Sequence, residues 1–130
     1  MLPELPSHVI HLEAAIDGTR LPARVIQTIH AGRPIWVRYD LALVRNALQK
    51  QDLQSRDQSL WRYRELLPVE NESNIVSLGE GMTPLLECPR LAAKLGLNRL
   101  LIKDESQLPT GSFKSRGMAV AGSMAKEVGI

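Results

Sequence analysis

The sequence predicts an α/β protein whose parallel sheet, flanked by helices, is incomplete at its C-terminal side. Three observations carry this. Leu100, Leu101 and Ile102 form an unbroken apolar run within Arg99 to Lys103, the pattern of a strand buried on both faces. After a turn built from Pro109, Thr110 and Gly111, a helical stripe of Gly117, Val120, Ala121, Met124 and Val128 follows. A parallel strand is reached through such a crossover helix, yet the sequence ends at Ile130, where the returning strand is expected. Residues 74–130 thus read as the start of a truncated α/β domain, residues 40–73 as a helical connecting region, and residues 1–39 as a separate N-terminal region.

In that N-terminal region, His8 to Ala15 reads as a strand closed by the turn signal Asp17-Gly18. Pro22 to Gln27 is expected to make one or two helical turns before Gly32 and Pro34, and Ile35 to Tyr39 alternates as a strand does. His8, His11 and Glu13 suggest a metal, but without a fourth ligand they read as a polar strand face. His30 reads as an isolated loop residue.

Asp40 suits the N-cap of a helix through Lys50, with Leu41, Val44 and Leu48 along one face. Gln49 to Ser59 is polar and reads as a surface connection. Trp61, Tyr63, Leu66 and Leu67 make a compact group that Pro68 terminates. Arg62 and Arg64 read as a solvated face or as local partners of Glu65 rather than an anion site. Farther on, Pro89 opens a helix through Leu95, with Gly96 as its C-cap, and Gly129 caps the last helix. Gly117 is expected to let that helix approach the sheet closely.

Composition narrows the function classes. The chain has 130 residues, 44% apolar and 23% charged, as a soluble globular domain does. A net charge of +2 with scattered basic residues argues against nucleic acid and anionic membranes, and five aromatics give no base-stacking platform. The single Cys88 argues against a disulfide framework or a Cys-based zinc site and reads as a small apolar residue. No apolar run approaches the roughly 20 residues of a membrane span. Glu4, with no basic region or apolar core around it, argues against a signal peptide, so a cytoplasmic protein is expected.

The chemistry is expected in Lys103 to Gly117, where Lys114 sits just inside a helix N-terminus. An ordinary lysine is neutral in only about one molecule per thousand near neutral pH, and making one mostly neutral costs about 4 kcal/mol. A helix N-terminus supplies about 0.3–1 kcal/mol of this. Burial or imine formation with an aldehyde must supply the rest. A functional Lys114 therefore calls for a pocket and a covalent partner; the alternative is an ordinary exposed lysine in a first helical turn.

The segment Gly79-Glu80-Gly81-Met82-Thr83-Pro84-Leu85, with Lys103-Asp104-Glu105 and Pro109-Thr110-Gly111-Ser112-Phe113-Lys114, resembles the threonine synthases. These belong to the fold type II, tryptophan-synthase-β-like enzymes that use pyridoxal phosphate. Val37-Arg38-Tyr39-Asp40-Leu41 and Trp61 to Pro68 resemble that family's N-terminal portion. The resemblance implies Lys114 as the lysine that forms the internal aldimine with pyridoxal 5'-phosphate and then transfers protons, with Phe113 beside the cofactor ring. Asp104 and Glu105 shape the strand end and turn.

The implied reaction is a lyase step of threonine biosynthesis: O-phosphohomoserine loses phosphate and gains water to give threonine. A threonine or serine ammonia-lyase of the same fold is the alternative, because Ser115 stands where the family usually has Asp. Some relatives begin with a zinc ribbon. Ala14, Asp17, Ile29 and Ala31 occupy its estimated cysteine positions here, so a ribbon without metal ligands is expected. The glycine-rich phosphate loop and the pyridine-nitrogen partner are expected beyond Ile130. The 130 residues alone are then a non-catalytic fragment or half of a split enzyme, exposing an apolar patch near the last helix. Expected partners are a phosphorylated amino acid and a second copy or a complementing C-terminal chain.

Overall fold

The computed structural model describes residues 7–130; Glu4 and the signal-peptide reading made on it lie outside the described residues. Strands β1 (Val9–Ala14), β2 (Arg20–Leu21), β3 (Ile29–His30) and β4 (Arg33–Tyr39) form one sheet in the order β2-β1-β4-β3. All its pairings are antiparallel, with Leu12 opposite Leu21 and Val37, Ala14 opposite Ile35, and a register shift between Val9 and His11. The Asp17-Gly18 turn closes as expected: Gly18 N–H donates to the Ala14 carbonyl at 2.9 Å, and Thr19 N–H donates to the Asp17 carboxylate at 2.9 Å. That amide holds the Asp17 carboxyl below its ordinary value. Ala31 (φ 47°) and Gly32 (φ 71°) make the second hairpin turn, both with the positive φ that a two-residue turn of matching twist requires.

Two expectations for this region are corrected. Residues 22–28 contain turns and bends but no helix, and the Gln27 side-chain amide closes onto the Pro22 carbonyl at 2.9 Å. His30 is not an isolated loop residue: it lies in β3 opposite Arg33, and its Nε2 is 3.9 Å from the Asp17 carboxylate of the other turn. On the strand face, Glu13 takes an ion pair from Arg38, whose guanidinium lies 4.6 Å from the Trp36 ring centroid, and His11 is 3.7 Å from Glu13. The Arg38 hydrogen bond keeps the Glu13 carboxyl below its ordinary value. Among the described residues no group of three or more His, Cys, Asp or Glu is placed to hold a metal.

Helix α1 (Leu41–Ala47) is capped by Asp40, whose carboxylate accepts from Ala42 N–H at 3.0 Å and Leu43 N–H at 2.9 Å. We expect Asp40→Ala to lower stability by about 1 kcal/mol, read as a shift in the urea midpoint with an unchanged slope. The helix stops short of Lys50 because Gln49 N–H is taken by the Asp52 carboxylate at 2.8 Å, starting a new 3₁₀ turn over Lys50–Gln54.

A second 3₁₀ segment, Leu60–Leu66, is capped by the Ser59 hydroxyl and buries Trp61 and Glu65, whereas Tyr63 and Leu66 stay exposed. Glu65 pairs with Arg56 through two hydrogen bonds of 2.7 and 2.8 Å, and not with its neighbours Arg62 or Arg64. Arg62 instead donates to the Leu53 carbonyl and to Met82 Sδ.

Strands β5 (Leu85–Glu87) and β6 (Leu101–Lys103) pair antiparallel, Leu86 opposite Ile102, with helix α2 (Pro89–Lys94) between them. The parallel strand read from Leu100-Leu101-Ile102 is thereby corrected, and so is its burial: Leu101 and Ile102 are exposed. An apolar triplet carries no information on strand direction. Here α2 turns the chain back through a Schellman cap, with Leu97 N–H on the Ala92 carbonyl and Gly96 at φ 67°.

Helix α3 (Lys114–Glu127) ends in the same motif, with Gly129 at φ 78° and Ile130 N–H on the Ala125 carbonyl. Its buried stripe is Ser115, Ala119 and Ser123, not Gly117 and Ala121. Gly117 is exposed, and a Cβ there would meet nothing within 4 Å. The stripe fits against residues 70–76: Val76 N–H donates to Ser123 Oγ at 2.8 Å, and the Glu127 carboxylate accepts from Asn74 Nδ2 at 2.6 Å and from Glu70 N–H at 3.2 Å.

Candidate active site around Lys114

The end of β6 turns through a device built into its own sequence. Asp104 accepts from Ser106 N–H at 3.1 Å, from Ser106 Oγ at 2.5 Å and from Gln107 Nε2 at 3.1 Å, starting a 3₁₀ turn over Glu105–Gln107. These donors keep the Asp104 carboxyl below its ordinary value. Leu108 is buried beneath the turn, and Gly111, at φ 68°, donates its N–H to the Leu108 carbonyl at 2.7 Å. Residues 112 and 113 then lead directly into α3, with Lys114 as its first residue.

The opposing segment is equally determined. Glu80 is buried and folds back on its own turn, accepting from Leu78 N–H at 2.9 Å and Ser77 Oγ at 2.7 Å. Burial pushes its carboxyl up, but these donors outweigh burial and leave it below its ordinary value. The Glu80 carbonyl accepts from Leu60 N–H at 2.5 Å, which fastens the loop to the 3₁₀ segment carrying Trp61.

The two segments that the sequence singled out meet. Thr83 Oγ1 donates to Glu105 Oε1 at 2.5 Å, and Arg116 grips the same carboxylate with Nε at 2.7 Å and a terminal nitrogen at 3.0 Å. That terminal nitrogen also reaches Thr83 Oγ1 at 3.3 Å, while Lys103 Nζ donates to the Thr83 carbonyl at 2.9 Å. The Arg116 fork, with the Thr83 hydroxyl, holds the Glu105 carboxyl down at about 2. Arg116 was not singled out by sequence reasoning. Its signal was an arginine eleven residues after a glutamate, a spacing that no helix or strand period flags.

The Lys114 side chain takes no part in this cluster. It is exposed, its Nζ lies 4.9 Å from the ring centroid of Phe113, and it makes no ion pair among the described residues. Phe113 is 63% exposed. Ser115 faces inward, buried, with its hydroxyl 2.7 Å from Thr110 Oγ1 and accepting from Thr110 N–H at 3.2 Å. The start of α3 therefore presents the Lys114 amine and, from the residue before the helix, an open aromatic ring. That donor set fits an aromatic aldehyde, with the amine to condense with the carbonyl and the ring to lie beside it.

A cleft of about 730 Å³ lies elsewhere, lined among others by Arg56, Trp61, Arg62 and Arg64, with no residue of the Lys114 segment in its wall. Its arginines face Asp52, Asp57 and Glu72 in the same lining, so it carries no excess of positive charge.

Residues 76–129 match the family described as pyridoxal-phosphate dependent enzyme. The threonine synthase of Methanocaldococcus jannaschii is 42% identical over 106 residues, 82% of this chain and 26% of that protein. That of Methanosarcina acetivorans is 45% identical over 92 residues, covering 71% and 22%, and that of Synechocystis 47% over 68 residues, covering 52% and 18%. The chain thus spans about a quarter or less of the length of these relatives. No solved structure matches it significantly. By these matches the chain is similar to a part of the threonine synthases, and its residues 76–129 match the pyridoxal-phosphate dependent enzyme family.

Proposed function

We propose that this chain is the lysine-bearing part of a pyridoxal-phosphate-dependent threonine synthase acting on O-phosphohomoserine in threonine biosynthesis. The observation that carries this is the convergence of residues 79–85 and 103–117 on Glu105 and Arg116, which leaves the Lys114 amine on the open face of α3 beside Phe113. In this reading, Lys114 would hold the cofactor through its amine, and the same amine would move protons on and off the substrate carbons. Phe113 would lie beside the cofactor ring. When bound, the cofactor supplies the electron sink for charge developing on the substrate. The protein is read as a cytoplasmic lyase, and no described helix is long and apolar enough to cross a membrane.

Ser115, standing where the family usually has Asp, weighs little against this reading, because its hydroxyl is buried against Thr110 and does not face Lys114's side of the helix. The ammonia-lyase reading rested on that residue alone. A second reading, that the 130 residues need a complementing chain or second copy to hold the cofactor well, is favoured by the exposure of Met118 on α3 and of Phe113 and Ile130 beyond its two ends. Residues 1–39, 40–73 and 74–130 are then read as its ribbon-like, connecting and cofactor-binding regions.

The test is to expose the chain to pyridoxal 5'-phosphate, reduce with borohydride and locate the pyridoxyl group by peptide mass. The label is expected on the peptide containing Lys114. Label spread over Lys50, Lys94 and Lys126 would overturn the reading, as would label absent from Lys114 even with the rest of the enzyme present; label that reaches Lys114 only in that full assembly selects the second reading. With the rest of the enzyme present, phosphate release from O-phosphohomoserine without ammonia release from threonine is expected; the reverse selects the ammonia-lyase.

A further inference from the structure

The start of α3 is weakly secured by its own backbone. Its N-cap is Phe113, which offers no capping side chain, and the first-turn contacts are long: Lys114 N–H to Ser112 Oγ at 3.4 Å, Ser115 N–H to the Ser112 carbonyl at 3.3 Å, and Arg116 N–H to the Phe113 carbonyl at 3.3 Å. A helix end with unmet amides frays unless something outside it supplies partners. Here the external tie is strong. A planar guanidinium meets a carboxylate through two nitrogens at 2.7 and 3.0 Å, and the same carboxylate is fixed from the other side by Thr83. Glu105 belongs to the turn that ends β6, and Thr83 to the segment that leads into β5, so the fork references the first turn of α3 to the strand pair.

We propose that Arg116, acting through Glu105 and Thr83, is the positioning residue for Lys114: it sets where the amine of the first helical turn stands relative to the strand pair. This rests on the reading of Lys114 as the cofactor-bearing lysine. Arg116 itself touches neither cofactor nor substrate. The charge alone does not suffice, because a lysine at this position offers a point charge without the two-nitrogen fork.

The experiment compares the chain with Arg116→Gln, Arg116→Lys, Glu105→Gln and the Arg116→Gln/Glu105→Gln double variant. Each is studied at a temperature where far-ultraviolet circular dichroism shows it folded. Two quantities are read: the rate at which pyridoxal 5'-phosphate labels Lys114, trapped by borohydride, and the induced circular dichroism per bound chromophore, which reports a fixed orientation. Each single variant, Arg116→Lys included, is expected to slow labelling about ten-fold and to lose most of the induced signal. The double variant is expected to be no slower than either single, because both remove one device. Thr83→Val, which deletes only a hydroxyl, is expected to show a smaller loss in the same direction and keeps the test available on the least perturbed fold. Parent-like labelling and induced signal in folded Arg116→Gln and Glu105→Gln would overturn the proposal. So would effects that multiply in the double variant. A parent that is labelled at some other lysine would overturn the Lys114 reading and this proposal with it.

Discussion

Gly81→Ala is expected to cost about 3–4 kcal/mol, enough to consume much of the stability of a domain of this size. The reason is contact and not conformational freedom. A Cβ on Gly81 would stand 2.4 Å from the Gln58 carbonyl oxygen, 2.7 Å from Ser59 Cα and 2.9 Å from the Ser59 carbonyl carbon. All three are backbone atoms, so no side-chain rotation relieves the overlap. Residues 58–59 must move instead. That motion breaks the bond from Leu60 N–H to the Glu80 carbonyl and shifts Ser59, whose hydroxyl caps the segment that buries Trp61. Urea unfolding of three variants checks the argument. Gly79→Ala has open space but a φ of 86°, and is expected to cost about 1–2 kcal/mol. Gly117→Ala, helical and unobstructed, is expected to stabilise by about 0.5–1 kcal/mol. If Gly81→Ala falls within about 1 kcal/mol of the parent, the close approach is wrong.

The same contrast between glycines shows what the sequence could and could not disclose. Features set by neighbouring residues were legible: the Asp40 cap, Pro89 at the start of α2, the glycine caps after α2 and α3, and the turn at Asp17-Gly18. So was the segment around Lys114, because its turn chemistry and lysine are local, and a family resemblance runs through it. Features that depend on which distant segment arrives were not. The apolar triplet at 100–102 could not report that Leu86 would lie antiparallel to Ile102. The buried face of α3 was misjudged because its stripe is small and polar. Ser123 is fully buried, yet its hydroxyl donates to the Ala119 carbonyl at 2.7 Å and accepts from Val76 N–H, so burial there rests on hydrogen bonds that hydropathy does not see. Gly117 was credited with a close approach that Gly81 makes instead. The cluster of Thr83, Glu105 and Arg116 was hidden for the same reason, since its members come from three separate elements.

Glu65→Gln is expected to cost about 3–5 kcal/mol near neutral pH, because it strands the Arg56 guanidinium in a half-buried site. Glu65 is 2% exposed and the Arg56 side chain 15%, and the pair is joined by two bonds, with a third from Arg56 to the Arg62 carbonyl at 2.7 Å. Burial pushes the Glu65 carboxyl up; the Arg56 fork and a backbone donor outweigh it and leave the group below its ordinary value of 4.5. The unfolded chain therefore takes up a proton near pH 4.5 while the folded chain resists until lower pH, so acid favours unfolding. The pair's contribution is fully present above pH 4.5 and is lost as pH falls through the folded value. Glu105, held at about 2, adds a loss of the same sign over the same descent. The gap between the parent and Glu65→Gln is thus expected to be widest near neutrality and to narrow as urea midpoints are followed from pH 7 down to about pH 3. A gap that stays constant across that range would show that Glu65 acts through shape and not through charge. A double variant separates the pair from its parts. Arg56→Met and Glu65→Leu are each expected to destabilise strongly, but together by less than their sum, because the second change removes the charge that the first left unpaired.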